Sequence, residues 1–201
     1  MNLYLIRHGQ TDWNIEKKMQ GTEDIPLNNT GKEQAAFCAK ALSSISFEAI
    51  YTSPLSRAIE TAEIISSYVC HPPVRIEPNL KERDFGEISG LTYQEFHQAF
   101  PDYPNTLPCG MELYHDLSAR IYRAVETCAK NHPHSSILLV SHGAAINSFL
   151  YTVSGGICGS GITTLKNVCI SHFSYYSHQK QFFLHYHNFS PKDFLPYLIS
   201  P

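Results

Sequence analysis

Short, mainly apolar runs occupy residues 2–6, 49–52 and 137–140. A run without polar alternation is what a strand shows when both of its faces are covered, and the last run is the most continuous. The three are predicted as central strands of a parallel sheet. Between them lie helix-start signals. Thr30, Gly31, Lys32 and Glu33 form a capping-box pattern ahead of an alanine-rich run, and Thr92, Tyr93, Gln94 and Glu95 form another. Ser53 followed by Pro54 reads as an N-cap with proline at the first helical position.

A further helix is predicted over 112–130, where Leu113, Leu117, Ile121, Ala124, Val125 and Cys128 recur at helical spacing, interrupted by Arg120 and Arg123. The C-terminal part changes period. Residues 168–176 and 182–187 read as paired strands around the turn Ser177, His178, Gln179, Lys180, and the tail 194–201 is apolar with prolines. Strands alternating with helices predict an α/β fold, a three-layer α/β/α sandwich around a mostly parallel central sheet with a C-terminal hairpin. No repeat or linker divides the chain, so residues 1–201 are expected to form one domain. The proline-rich stretch 101–110 reads as a loop within a small lid insertion at about 88–112.

Composition narrows the partners. The 201 residues are 43% hydrophobic and 16% charged, with 15 basic and 18 acidic side chains and a net charge of −3. No excess of either sign advertises nucleic acid or an anionic membrane. The opening apolar run is too short for a signal peptide and no stretch reaches membrane-span length, so a cytoplasmic protein is expected. Cys38, Cys70, Cys109, Cys128, Cys158 and Cys169 include no CxxC pair and are expected as reduced thiols, mostly core filler. Among the eleven histidines, His132 and His134 flank a proline and His185 and His187 alternate on a predicted strand, without cysteine or carboxylate neighbours at ligand spacing. No metal or other cofactor is expected.

The same outline gathers chemistry. Arg7 and His8 follow the first predicted strand, Arg57 follows the second, and His142 follows the third. In open α/β sheets the carboxyl ends of the strands form the ligand crevice. Singly, each residue is ordinary, as a cap or a solvated helix arginine. Together, two arginines and two histidines repel one another unless an anion sits between them, and guanidinium forks fit phosphate oxygens.

At these residues the chain resembles the histidine phosphatase superfamily, also called the phosphoglycerate mutase-like family. The resemblance rests on Leu5 to Asn14, then Gln20, Gly21, Asp24 to Asn28, Gly31, Gln34 and Ala35. It continues through Ser53 to Ala62, Leu80 to Gly86, and Val140 to Gly143. It implies that His8 is a nucleophile that becomes transiently phosphorylated, and that Arg7, Arg57 and His142 hold the phosphoryl group; phosphoryl transfer asks for a cationic cradle, which the two arginines and a protonated His142 are expected to supply. It further implies that Glu82 is the proton donor, that Asn14 and Gln20 make secondary phosphate contacts, and that Gly21 and Gly143 belong with the substrate-binding positions. Glu82 sits in the sign-alternating run Lys81, Glu82, Arg83, Asp84, where a solvated carboxylate is the ordinary outcome, so the resemblance is what singles it out. Asp12, Asp84 and Glu87 are expected to be structural.

The chain departs from the family pattern in three places: Gln10 for a frequent Glu, Ile88 and Ser89 for a frequent Trp and Glu before Gly90, and Gly110, Met111, Glu112 for a common Gly, Glu, Ser. The mutases of the superfamily carry a long insertion after the acid, whereas here only the 59 residues 83–141 separate Glu82 from His142. The expectation is a metal-independent phosphatase acting on a small phosphorylated molecule. A cofactor-dependent phosphoglycerate mutase is the first alternative and a non-catalytic phospho-ligand binding module the second. Tyr93, Phe96, Phe100, Tyr103 and Leu107 are candidate linings of a lid over 96–111. A monomer or homodimer is expected.

Overall fold

The computed structural model describes residues 1–197. Six strands form one sheet: β1 (Asn2–Arg7), β2 (Ala49–Thr52), β3 (Val74–Ile76), β4 (Ser136–Ser141), β5 (Ile170–Tyr176) and β6 (Gln181–Phe189). Their order is β3-β2-β4-β1-β5-β6. The first four lie parallel, and β5 and β6 add to β1 as an antiparallel hairpin. The mostly parallel sheet with a C-terminal hairpin is the predicted one.

The two faces of the sheet explain the apolar runs. Leu3, Leu5, Ile137 and Leu139 point to one side, against α5 (Tyr114–Lys130) and α6 (Gly143–Val153), through Leu117, Ile121, Ile146 and Phe149. Tyr4, Ile6, Leu138 and Val140 point to the other, against α2 (Asn29–Leu42) and α3 (Ser56–Tyr68), through Cys38, Leu42, Ala58 and Ile65. Alternate residues of one strand thus feed two cores, and every position must be apolar.

Element boundaries differ from expectation where a tertiary contact outbids a local pattern. Helix α2 starts at Asn29, because Asn28 Oδ1 accepts from Gly31 N at 2.9 Å, and the Thr30 box is not used. Ser53 does not cap α3. Its hydroxyl accepts from Leu55 N at 3.3 Å and bonds His142, and the helix begins at Ser56 behind an apolar N-cap. Helix α5 starts at Tyr114 and leaves Glu112 outside it. The Thr92 box is present, opening α4 (Tyr93–Ala99). Strand β3, a short α1 (Asp12–Ile15) and α7 (Pro191–Tyr197) carry no strong sequence signal, and the rest of the predicted apolar tail lies outside the described residues. Cys38, Cys128, Cys158 and Cys169 are buried, while Cys70 and Cys109 are exposed, and all six are free thiols. Among the described residues no helix is long and apolar enough to cross a membrane.

The segment 88–112 forms a separate small cluster rather than part of either main core. Ile88 and Phe96 bury against Met19, with Phe85, Phe100, Tyr103 and Met111 packed around them. Gly86 makes this possible. Its φ is +57°, and a side chain there would meet Cys109 O at 2.1 Å.

Candidate active site

Strand β1 ends at Arg7, and the chain crosses the carboxyl end of the sheet through His8 and Gly9. His8 N donates to Ser141 O at 3.0 Å, continuing the ladder with β4. Asn167 Nδ2 donates to His8 O at 3.1 Å, and Gly9 N donates to Thr61 Oγ1 at 3.1 Å. Gly9 lies against Gly31 at the start of α2, where a Cβ on Gly9 would stand 2.5 Å from the Gly31 carbonyl oxygen. The turn is therefore fixed by β4, α2, α3 and the 166–168 segment together.

The imidazole of His8 is 3% exposed, with Nδ1 2.7 Å from Gly9 O. A carbonyl only accepts, so Nδ1 carries the proton and Nε2 presents its lone pair. Burial first, then the Arg7 and Arg57 charges, hold the His8 pKa well below the ordinary histidine value. The ring is neutral at pH 7.

The cations around it are held by backbone. Arg57, fully buried on the first turn of α3, donates from Nη1 to Glu23 O at 2.6 Å and from Nη2 to Gly21 O at 2.8 Å. Burial brings its pKa down to about 10, which leaves it charged. Arg7 Nη1 donates to Leu165 O at 2.6 Å. His142, fully buried, lies with its ring centroid 5.1 Å from that of His8, and its Nε2 is 2.7 Å from Ser53 Oγ. Arg7 Nε, Arg57 Nε and His142 Nδ1 are buried polar atoms without a protein hydrogen-bond partner. Buried polar groups left unpaired cost folding free energy, and the free Nε of Arg7 and Arg57, on two residues that line one cavity, suit an acceptor there.

His142 departs from expectation. Burial first, then Arg57, His8, Arg7 and Arg120 nearby, keep its pKa well below the ordinary value, so it is neutral at pH 7 and not protonated. The positive charge of the cradle comes from the two guanidinium groups.

Glu82 lines the same cavity as Arg7 and His8 and is buried, 8% exposed. Its carboxylate accepts from Arg83 N at 2.9 Å, Ala144 N at 3.1 Å and Ala145 N at 3.0 Å, the last two being first-turn amides of α6. Arg7, His8, Asn14, Gln20, Arg57, Glu82 and Gly143 all line one cavity of about 920 Å³. His142 does not line it, and neither does Gly21. Its carbonyl holds Arg57, and its φ of +52° is why glycine stands there. Asn14 spends Oδ1 on Thr11 N at 3.1 Å and Asn167 Nδ2 at 3.2 Å, closing the capping box of α1. Asp12, Asp84 and Glu87 accept from Asn28 Nδ2, Gly86 N and Cys109 N respectively. The expected structural roles are those contacts.

Of the lid aromatics, Tyr93 and Tyr103 line the cavity, whereas Phe96 and Phe100 pack in the small cluster and Leu107 is exposed. Sequence reasoning missed the opposite wall, made by Tyr114, Asn147, Tyr151 and the 160–165 segment. The glycines at 155, 156, 159 and 161, all with positive φ, were the signal for an irregular loop there.

Residues 3–188 match the sequence model of the family described as histidine phosphatase superfamily (branch 1). The chain is 40% identical over 173 residues to the uncharacterized phosphatase PhoE of Bacillus subtilis (strain 168), covering 85% of this chain and 86% of that one. It is 36% identical to the probable phosphoglycerate mutase GpmB of Proteus mirabilis (strain HI4320), covering 77% of this chain and 75% of that one. The solved structure of Bacillus stearothermophilus YhfR superposes with a TM-score of 0.83 at 28% identity, covering 92% of this chain and 95% of that one.

Proposed function

Because the chain belongs to the histidine phosphatase superfamily, branch 1, we propose that it hydrolyses a small-molecule phosphomonoester through a phosphohistidine on His8. The observation that carries this is the tautomer of His8: the Gly9 carbonyl takes Nδ1, which leaves Nε2 as a buried, neutral nucleophile among Arg7, Arg57 and His142. A phosphoryl group held by Arg7 Nε, Arg57 Nε and His142 Nδ1 meets partners that the protein leaves unpaired. Because phosphoryl transfer asks chiefly for in-line placement and charge stabilisation, such a cradle supplies most of what is needed.

In the first step Nε2 attacks phosphorus, the N–P bond forms, the P–O bond to the alcohol breaks, and Glu82 in its acid form gives the leaving oxygen a proton. In the second, water attacks the phosphohistidine, Glu82 takes the proton, and His8 leaves neutral with inorganic phosphate. General acid–base help of this kind contributes about 10² to 10⁴ in rate. Bringing a dianion beside His142 raises its proton affinity, so it acts as a donor once substrate is bound. The segment 88–112, through Tyr93 and Tyr103, serves as the lid that selects the substrate body. The protein works in the cytoplasm as a monomer or homodimer.

The test is a rapid quench at alkaline pH with a radiolabelled phosphomonoester. Acid-labile label should appear on the wild-type chain and be absent from His8→Ala, with turnover lost alongside. Label on the wild type with none on His8→Ala, but phosphate release unchanged in the variant, would refute the covalent route. Similarity to a probable phosphoglycerate mutase supports a second reading, phosphoryl transfer between hydroxyls of a phosphoglycerate. Release of inorganic phosphate from para-nitrophenyl phosphate without added bisphosphate decides for hydrolysis. Isomerisation of a phosphoglycerate without phosphate release decides for the mutase.

A further inference from the structure

Arg120 uses all five of its N–H groups, two on the Glu112 carboxylate and three on the short stretch 79–82. Nε donates to Glu112 Oε1 at 2.6 Å and Nη2 to Glu112 Oε2 at 2.8 Å, a bidentate pair. Nη1 donates to Asn79 O and to Lys81 O, each at 2.8 Å, and the second Nη2 hydrogen reaches Glu82 O at 2.8 Å. The carbonyl between these, Leu80 O, accepts from Ser141 Oγ at 2.8 Å. Four consecutive carbonyls ending at Glu82 are thus held by side chains, three of them by one guanidinium.

Glu112 completes the frame. Its N donates to Asp84 O at 2.9 Å, its carbonyl accepts from Arg83 Nε at 2.9 Å, and its Oε2 also accepts from Asp84 N at 3.3 Å. An arginine present for surface charge alone would leave donors to water. Here the Arg120 side chain is 19% exposed, and its planar fork is matched donor by donor to the loop that ends at Glu82.

We propose that Arg120, oriented by Glu112, is a positioning residue that sets the backbone of residues 79–82 and so aims the Glu82 carboxyl at the leaving oxygen. Arg120 touches no reacting atom. The proposal rests on the reading of Glu82 as proton donor. A displacement of about 1 Å in a reacting group costs on the order of a hundredfold in rate, so the frame acts directly on the chemistry. The same frame ties the exit of the 88–112 segment to the acid, because Glu112 is where that segment returns to the body of the protein.

The leaving group distinguishes positioning from mere support. An alkyl alcohol needs the proton, whereas a para-nitrophenolate departs with little help. The measurement is kcat/KM, which reports the phosphorylation step, on beta-glycerophosphate and para-nitrophenyl phosphate. Arg120→Met should lower it about tenfold to a hundredfold on the alkyl ester and under about threefold on the aryl ester, a part of what general acid catalysis contributes. Arg120→Lys, which keeps charge but not the fork, and Glu112→Gln should show the same selectivity with smaller losses. Arg123→Met, one turn along on α5, is the surface control.

Equal losses on the two esters in Arg120→Met and Arg120→Lys, or no loss in either, would overturn the proposal. If Arg120→Met does not fold, Arg120→Lys and Glu112→Gln carry the same test. Glu82→Gln separates the two layers of argument. Should Glu82→Gln itself lose both esters equally, the donor reading fails. Should Glu82→Gln be selective and the Arg120 variants not, the frame alone fails.

Discussion

Thr61 links the His8 turn to Arg57 through one hydroxyl, accepting from Gly9 N and donating to Arg57 O at 2.7 Å. Thr61→Val keeps the shape and leaves a buried amide unpaired, which costs about 1–3 kcal/mol. Urea unfolding should register that loss, and kcat should fall with it, because the His8 turn and Arg57 lose their common anchor; an unchanged kcat would mean the two are placed independently. At this scale the sequence was informative about side chains and silent about backbone. Arg7, His8, Arg57 and His142 stood out as two arginines and two histidines at strand ends. The groups that hold them did not: the carbonyls of Gly9, Gly21, Glu23 and Leu165 do their work without any residue-type signature. Glu82 was legible only through its resemblance, since Lys81, Arg83 and Asp84 give it the look of a solvated carboxylate.

The start of α2 shows how an element yields to its surroundings. The Thr30 box satisfies local rules, but Asn28 caps Gly31 N and its Nδ2 also reaches Gln10 Oε1 and Asp12 Oδ1, both at 3.2 Å. One side chain thereby serves the helix and the loop after His8, and the helix begins there. Asn28→Ala should cost about 1 kcal/mol in a chemical unfolding titration and Thr30→Ala much less; the reverse order would restore the Thr30 cap. Gly31 carries more. A Cβ there would stand 2.1 Å from Gln10 O, so Gly31→Ala must push α2 away from the His8 turn. Overpacking of this kind costs about 1–3 kcal/mol, and the variant should lose turnover by more than its thermal shift accounts for. The central strands were readable because two-sided burial leaves an unmistakable run. The three-residue edge strand β3 and α6, whose N-cap residue His142 makes no side-chain capping hydrogen bond, leave none.

For the molecule as a whole, neutral buried histidines make the fold sensitive to acid. His8 and His142 lie well below the ordinary histidine value, and burial, with His185 beside it, brings His172 to about 4. The unfolded chain takes up these protons near pH 6.5, the folded chain only at lower pH. Stability from these groups is therefore complete above about pH 6.5 and declines as pH falls from there towards the folded values. The urea midpoint should drop between pH 7 and pH 5, and inorganic phosphate should reduce the drop by favouring the charged imidazoles of the cradle; a flat midpoint would contradict the burial of these rings.

Strand β1, which carries His8 at its end, pairs with residues 136–141 on one side and with residues 170–174 on the other. While the chain is being synthesised, this strand has no neighbour to zip against until more than a hundred further residues have been added. Local contacts nucleate early and such distant ones close late. The placement of His8 therefore waits on the last third of the polypeptide, and an unfinished chain exposes the apolar residues of this strand to whatever chaperone or aggregate reaches them first.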